Sequence, residues 1–275
     1  MLPRSYLFVP GHRADRFDKA LASGADAVVL DLEDAVAPQD KAAAREAVAR
    51  YLATADDATR QRLVLRINDE ATPWFDDDVA LLAATRAPAA MLPKAEHVTT
   101  LARLRSACPG LGVLALIESA RGVLNVEALA AADGVQRLVF GTLDFALDLD
   151  LVDDPAAGPV GLDAAASRLA WASRAAGLPA PVAGVTADIH NAALLRADFA
   201  RARAHGFGAK LCIHPQQVAW VHEALRPAEA EVEWAQRVIA AASATQGAVQ
   251  LDGRMVDRPV VERARRLLQR AGPQP

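Results

Sequence analysis

Two apolar runs in this 275-residue chain each end in a single carboxylate. Gly112–Ser119 reads GVLALIES and delivers Glu118, and Val135–Phe145 reads VQRLVFGTLDF and delivers Asp144. A buried strand that suddenly presents an acid places it at the strand's C-terminal mouth, where parallel α/β folds carry out chemistry. Two such carboxylates from neighbouring strands suit one hard divalent cation. Mg2+ takes oxygen ligands and keeps its remaining positions for water or substrate oxygens. Capping of the following helix competes, because acidic side chains accept the first N–H groups of a helix. Ser119 is the better cap beside Glu118, so metal ligation is narrowly preferred for the pair.

Other polar groups end further apolar runs. Arg66 closes Leu63-Val64-Leu65, an awkward place for a cation unless it faces an anion. It reads equally well as a clamp on a substrate carboxylate or developing oxyanion and as an ion pair with Asp31, Glu33 or Asp34. Glu33 and Asp34 are adjacent and cannot share one strand face. One sits near a metal while the other orients a basic neighbour, or both salt-bridge to Lys94 or Arg66. His12 and His214 read as structural loop histidines. Lys210, inside the last run, reads as the partner of a buried acid rather than a Schiff-base lysine. Asp257, ahead of Arg258-Pro259, is by type an N-cap with proline in the first turn.

The elements that position these groups follow from periodicity. Eight short apolar runs recur: Tyr6–Val9, Ala27–Leu32, Leu63–Ile67, Ala89–Leu92, Val113–Ile117, Arg137–Phe140, Val182–Val185 and Ala209–Ile213. They are too short for helices, rich in Val, Leu and Ile, and bounded by Gly, Pro, Asp or Asn, as strands buried on both faces are. Between them lie helical patterns at Lys41–Tyr51, Val79–Thr85, Val98–Ala107, Leu162–Ala176 and Ala192–His205. Eight strand–helix alternations predict an α/β fold, a (β/α)8 TIM barrel over residues 1–225, with a doubly wound open sheet as runner-up. Residues 226–275 predict a C-terminal helix–hairpin–helix appendix. Its parts are a helix at Pro227–Ala244, a hairpin at Ala248–Val256 around Asp-Gly, and an amphipathic helix at Pro259–Gln269 with Val260, Val261, Ala264, Leu267 and Leu268 on one side.

Composition narrows the class. Half of the chain is apolar (52%) and the net charge is −4, enough for a large core without staples. Charges of both signs are interspersed with no basic stripe, so nucleic acid is not expected as a partner. The basic stretch Arg258–Arg270 reads as a solvated helix face. Cys108 and Cys212 lack metal-ligand spacing and fit reduced thiols. The N-terminus lacks a signal-peptide layout, and no apolar run reaches the roughly 20 residues that span a bilayer. A cytoplasmic protein with no membrane association is expected.

Several segments then match one pattern in order. Arg4–Gly11 (RSYLFVPG), Asp26–Val36 (DAVVLDLEDAV), Arg66-Ile67-Asn68, Pro93-Lys94, Ile117-Glu118-Ser119, Gly141–Phe145 (GTLDF), Gly208-Ala209-Lys210 with Ile213-His214-Pro215, and Met255–Pro259 (MVDRP) resemble citrate lyase beta-subunit-like proteins of the HpcH/HpaI aldolase/citrate lyase family. The resemblance runs from residue 4 to beyond residue 260. One departure is Asn191, where many relatives carry another acid, and it reads as peripheral. The resemblance implies a TIM barrel assembled as a homotrimer or its multiple. It implies Mg2+ held by Glu118 and Asp144, with Arg66 on the keto-acid or hydroxy-acid part of the substrate; Glu33, Asp34 and Lys94 are expected to support these groups from their own positions at the run ends. It also implies that Asp257 reaches the thioester end of a neighbouring subunit's site.

The implied reaction cleaves or forms a carbon–carbon bond between an acyl-CoA thioester and an α-keto acid, with citryl, malyl or citramalyl thioesters as substrates. The residues suit it. A metal chelates the hydroxyl and carboxylate, a cation such as Arg66 stabilises oxygen charge, and an acid such as Asp257 protonates the departing enolate. Competing readings are a pyruvate-type class II aldolase acting on free hydroxy-keto acids, a malate synthase-like or thioesterase-like activity, and a non-catalytic subunit of a lyase complex.

Overall fold

The computed structural model describes residues 2–152, 158–244 and 249–271. Eight parallel strands close into a barrel in chain order: β1 (Ser5–Pro10), β2 (Ala27–Asp31), β3 (Leu63–Arg66), β4 (Ala89–Leu92), β5 (Gly112–Ile117), β6 (Val135–Phe140), β7 (Val182–Ala183) and β8 (Ala209–Cys212), with β8 pairing back to β1. Each expected apolar run overlaps one of these strands, and β1, β5 and β6 extend beyond the expected bounds; the closed barrel excludes the open doubly wound sheet. β7 is two residues shorter than expected. It stops at Gly184, where Thr142 Oγ1 packs 2.4 Å from the place a Cβ would occupy.

Alternate residues point into the barrel. Tyr6, Val29, Val64, Met91, Leu114, Leu116, Val139 and Leu211 belong to one buried cluster there. The intervening residues, such as Val28, Leu30 and Leu65, are fully buried towards the helices. With both faces covered, the strands are continuous apolar runs rather than alternating ones. At the end opposite the mouths the barrel is plugged by Arg137 of β6. Its Nε donates to Ala180 O at 2.7 Å, and Nη1 donates to Pro3 O at 2.6 Å and Tyr6 Oη at 3.3 Å.

The helices of this unit are α1 (Phe17–Ala22), α2 (Lys41–Thr54), α3 (Asp57–Arg60), α4 (Phe75–Thr85), α5 (Val98–Ala107), α6 (Ala120–Leu124), α7 (Val126–Ala130), α8 (Thr142–Asp148), α9 (Val160–Ala175), α10 (Ala192–Ala204) and α11 (Pro215–Leu225). Each longer helix buries one stripe; in α2 it is Ala44, Val48 and Leu52, spaced by four. Asn191 caps α10 by accepting Leu194 N–H at 3.0 Å, which gives this departure from the family pattern a local structural role.

The chain divides into two compact units, residues 1–221 and 222–275. The second contains α12 (Glu229–Ala244), the antiparallel strands β9 (Val249–Leu251) and β10 (Arg254–Val256), and α13 (Arg258–Ala271). Asp252 and Gly253 both have positive φ, 50° and 75°, as a type I′ hairpin turn requires. Ala248, expected at the start of the hairpin, lies outside the described residues. Val232, Ala235, Val238, Val256, Ala264 and Leu267 form this unit's own core, with Val260, Val261 and Leu268 packed against it. No helix among the described residues is long and apolar enough to cross a membrane. Both cysteines are buried and free.

Candidate active site

Glu118 follows the last residue of β5, so its side chain emerges at the barrel mouth. It is 4% exposed, and Oε1 accepts the backbone N–H of Lys94 at 2.8 Å. Lys94 holds a left-handed backbone, φ 43°. On the other side stands Gly141 at the end of β6. A Cβ there would lie 2.4 Å from Glu118 Oε2 and 2.6 Å from Glu118 Cβ, so the carboxylate occupies space that any side chain would fill. Asp144 comes one turn later, in the first turn of α8 rather than at the strand end. The strand stops at Phe140 because the helix starts on Gly141, whose carbonyl accepts Phe145 N–H at 3.0 Å. Ser119, not Glu118, caps α6, accepting Gly122 N–H at 3.1 Å.

Burial pushes the Glu118 carboxyl up to about 7; the Lys94 N–H opposes the rise and the charge of Asp144 adds to it. A bound cation would reverse this balance and hold Glu118 ionised. Among the described residues no group of three or more His, Cys, Asp or Glu is arranged to hold a metal. The pair therefore offers two oxygen donors and leaves most of an octahedral shell to water and substrate, a set that suits Mg2+.

Arg66 ends β3 and is the register partner of Asp31 at the end of β2. The two form a fork–fork pair, with Nε 2.8 Å from Oδ1 and Nη2 2.6 Å from Oδ2. Asp31 also accepts the N–H groups of Glu33 at 2.9 Å and Ala35 at 3.3 Å, which ties the turn after β2 to the same carboxylate. Nη1 lies 2.8 Å from Glu33 Oε2 and 3.6 Å from Asp34 Oδ2, and the guanidinium stacks 4.7 Å above the Phe8 ring. Burial alone would lower the Arg66 pKa; the charges of Asp31, Glu33 and Asp34 outweigh it and raise the value. Both readings of Arg66 survive, since it is ion-paired and yet keeps N–H groups beyond the two on Asp31. The Asp34 side chain is 69% exposed and is the partner a substrate carboxylate can most easily replace.

Glu33 is buried, and burial pushes it up to about 8 against the pull of Arg66, with the charges of Asp34 and Glu118 adding to the rise. Its Oε2 has no hydrogen-bond partner despite the nearby guanidinium. Lys94 contributes differently from expectation. Its side chain is half exposed, with Nζ 3.8 Å from Asp69 rather than on Glu33 or Asp34, and its main-chain N–H serves the site. His214 Nδ1 accepts Gln216 N–H at 3.2 Å, a local turn contact. Lys210 alternates with the inward Ala209 and Leu211 and so faces the helices. It donates to Gly184 O at 2.7 Å rather than to a carboxylate, and burial lowers its pKa to about 8 while Asp198 acts through its charge. Asp257 lies in the second unit and caps α13, accepting Val260 N–H at 3.2 Å.

Sequence reading passed over Gly141, Lys41 and the bonding of Asn68. Lys41 carried a signal, because a cation opening a helix faces the positive end of the macrodipole.

A closed (β/α)8 barrel with paired acids and a buried arginine at its C-terminal mouths has the layout of a TIM-barrel enzyme. The chain belongs to the HpcH/HpaI aldolase/citrate lyase family, whose profile matches residues 4–215. A second profile, C–C bond lyase of the TIM-barrel fold, matches residues 168–273. A (3S)-malyl-CoA thioesterase of Cereibacter sphaeroides is 35% identical over 98% of this chain and 94% of its own. Protein CitE from Mycobacterium tuberculosis, solved in complex with magnesium, acetoacetate and coenzyme A, superposes with a TM-score of 0.88 at 36% identity, covering 98% of each chain. The citrate lyase beta subunit from M. tuberculosis, complexed with oxaloacetate and magnesium, gives 0.73 at 35% identity over 82% of this chain and 97% of that one.

Proposed function

We propose that this protein is a Mg2+-dependent carbon–carbon lyase that cleaves, or forms, a 3-hydroxyacyl-CoA thioester of the malyl, citramalyl or citryl type, giving an acyl-CoA and an α-keto acid. The observation that carries the reading is the seat of Glu118. It is a buried carboxylate held by the Lys94 N–H, packed into the space above Gly141, and raised in pKa by burial and by Asp144. Asp144 acts on Glu118 through its charge, and a divalent ion between the two acids would favour the ionised form that burial of Glu118 opposes. Magnesium in the relatives' structures supports the same assignment.

Glu118 and Asp144 hold the metal, which when bound supplies Lewis-acid polarisation of the substrate's oxygens. Arg66, oriented by Asp31, grips the carboxylate of the hydroxy-acid part and offsets charge on its oxygens. The bond between the carbinol carbon and the thioester α-carbon breaks. The hydroxyl passes its proton to water and becomes the oxo group, the bonding electron pair passes to the α-carbon as an enolate, and water returns a proton to the donor acid once it has protonated that carbon. Asp257 of a second copy donates the proton that completes the acyl-CoA. That role needs an oligomer, and we infer the homotrimer or its multiple. Leu143, Leu147 and Trp171 stand 56%, 80% and 71% exposed on α8 and α9, apolar surface of the kind that copies bury against one another. Free buried thiols and a CoA substrate fit a cytoplasmic setting.

The test is a panel of malyl-, citramalyl- and citryl-CoA with Mg2+, with products identified by mass. An α-keto acid plus a shorter acyl-CoA is the expected result. Free CoA plus the intact hydroxy acid would select hydrolysis, the reading favoured by the malyl-CoA thioesterase relative. Turnover of free hydroxy acids alone would select the class II aldolase, and no turnover of any of them would leave a non-catalytic subunit.

A further inference from the structure

Lys41 is doubly misplaced by ordinary rules. It opens α2, where the helix macrodipole disfavours a cation, and it is 5% exposed, where an unpaired charge is costly. Three acceptors use its three ammonium N–H groups: Leu32 O at 2.7 Å, Glu33 O at 2.7 Å and Asn68 Oδ1 at 2.6 Å. The Trp74 ring lies 5.0 Å from Nζ. Burial pulls its pKa down while the charges of Asp31, Asp78, Glu33 and Asp34 pull it up.

What Lys41 holds is specific. Leu32 lies between Asp31 and Glu33, the two closest partners of the Arg66 guanidinium. Asn68 reinforces the grip: its Nδ2 donates to Leu32 O at 3.0 Å and to Asp78 Oδ2 at 2.6 Å, and its N–H donates to Asp78 Oδ2 at 2.8 Å. Arg45 closes the far end, with Nη1 3.3 Å from Asp78 Oδ1 and Nη2 2.8 Å from Asp77. The hydrogen-bonded path therefore runs from Lys41 through two carbonyls to the residues that orient Arg66.

We propose that Lys41 is a positioning residue for the oxo-acid anchor, fixing the Leu32–Glu33 main chain so that Asp31 and Glu33 hold the Arg66 guanidinium where a substrate carboxylate meets it. The proposal rests on the reading of Arg66 given above as the substrate anchor.

The experiment uses the full chain and pyruvate, the simplest α-keto acid, as the probe. Lys41→Met keeps an unbranched stem and removes the ammonium. Arg45→Met breaks only the far end and serves as the control for stability. Thermal unfolding, pyruvate affinity by calorimetry in Mg2+, and the separate kcat and KM of thioester cleavage are measured for each. The expected result is a folded Lys41→Met protein whose pyruvate affinity falls about 10- to 100-fold, the range typical of removing a supporting partner. Its KM for the thioester should rise more than its kcat falls, while Arg45→Met loses stability with unchanged affinity. A Lys41→Met protein with wild-type pyruvate affinity, or an equal loss in Arg45→Met, overturns the proposal. If Lys41→Met does not fold, Lys41→Gln decides, because its shorter, neutral amide cannot reach all three acceptors: weakened pyruvate binding supports the assignment, and wild-type binding overturns it. Wild-type protein that neither binds pyruvate nor cleaves thioesters overturns the reading of the site, and this proposal with it. Wild-type binding matched by Lys41→Met overturns the proposal alone.

Discussion

Arg66 already has a bidentate carboxylate partner, so its use on a substrate depends on the N–H groups that remain and on their angle. A lysine keeps the charge and loses the planar fork. Arg66→Lys should therefore lose a charged hydrogen bond of about 1.5–3 kcal/mol, which corresponds to a roughly 10- to 100-fold fall in kcat/KM. Unchanged kinetics would return Arg66 to a purely structural ion pair. Glu118 sets a second test at this scale. A carboxyl raised to about 7 keeps its proton in the metal-free fold after the unfolded chain has lost its own. Metal-free stability should thus fall as pH climbs from the ordinary glutamate range to about 7. A ligand must be ionised to bind metal, so Mg2+ affinity should rise roughly tenfold between pH 6 and pH 8. Thermal unfolding with and without Mg2+ at both values reads the two effects; Glu118→Gln should abolish the change in Mg2+ affinity and lessen the fall in metal-free stability, the remainder coming from Glu33, which burial also raises, to about 8. An affinity that is flat or higher at pH 6 would remove Glu118 from the metal site.

At the scale of elements, β5 and β6 meet where Gly141 leaves room for Glu118. Gly141→Ala places a Cβ 2.4 Å from Glu118 Oε2, so the carboxylate must move. Displacement of a reacting group by about 1 Å commonly costs roughly a hundredfold in rate, and that loss is expected here with the barrel still folded by circular dichroism. Wild-type activity in Gly141→Ala would mean that Glu118 has another seat. This junction also marks what was legible in advance. The eight strands could be read because burial on both faces makes each a continuous apolar run. Glu118 and Arg66 could be read because a charge at the end of such a run is conspicuous. The service of Lys94 to Glu118 could not, because a main-chain donor is common to nearly all residues and carries no mark in the sequence. The Asp31–Arg66 fork depends on the β2–β3 register, which apolar patterning does not fix between parallel strands separated by a helix. Asp144 was read onto the strand because Leu143 and Phe145 extend the apolar run into what is the first turn of α8.

Across the whole molecule the two ends of the barrel are assigned to different tasks. The Arg137 plug fills one end with hydrogen bonds to carbonyls, while acids whose ionisation is opposed by burial crowd the other. The second unit adds Asp257, whose observed bond is a helix cap. Serine caps nearly as well, so Asp257→Ser should fold and bind Mg2+ normally. If the aspartate donates a proton to a neighbour's site, that protein should be nearly inactive. Mixing it with Glu118→Gln subunits should then restore part of the activity, because some interfaces pair an intact metal site with an intact Asp257. Confirmed subunit exchange with no return of activity would show that Asp257 does not act across subunits.

The shortness of β7 bears on how this barrel breathes. It meets β6 through the single register pair Val139–Val182 and β8 through two pairs. Local opening starts where the fewest backbone bonds must break, which makes β7 the clasp of the cylinder. Asp31, Arg66 and Glu118 come from β2, β3 and the end of β5, on the other arc, whereas Asp144 on α8 borders the clasp, since Thr142 of the same turn packs on Gly184. Transient opening at the clasp leaves the Asp31–Arg66 fork and the Gly141 N–H···O=C Ile117 bond closed. Amide hydrogens of β7 should therefore exchange well before those of β2, β3 and β5, and the catalytic arc can stay rigid while the rest of the wall fluctuates.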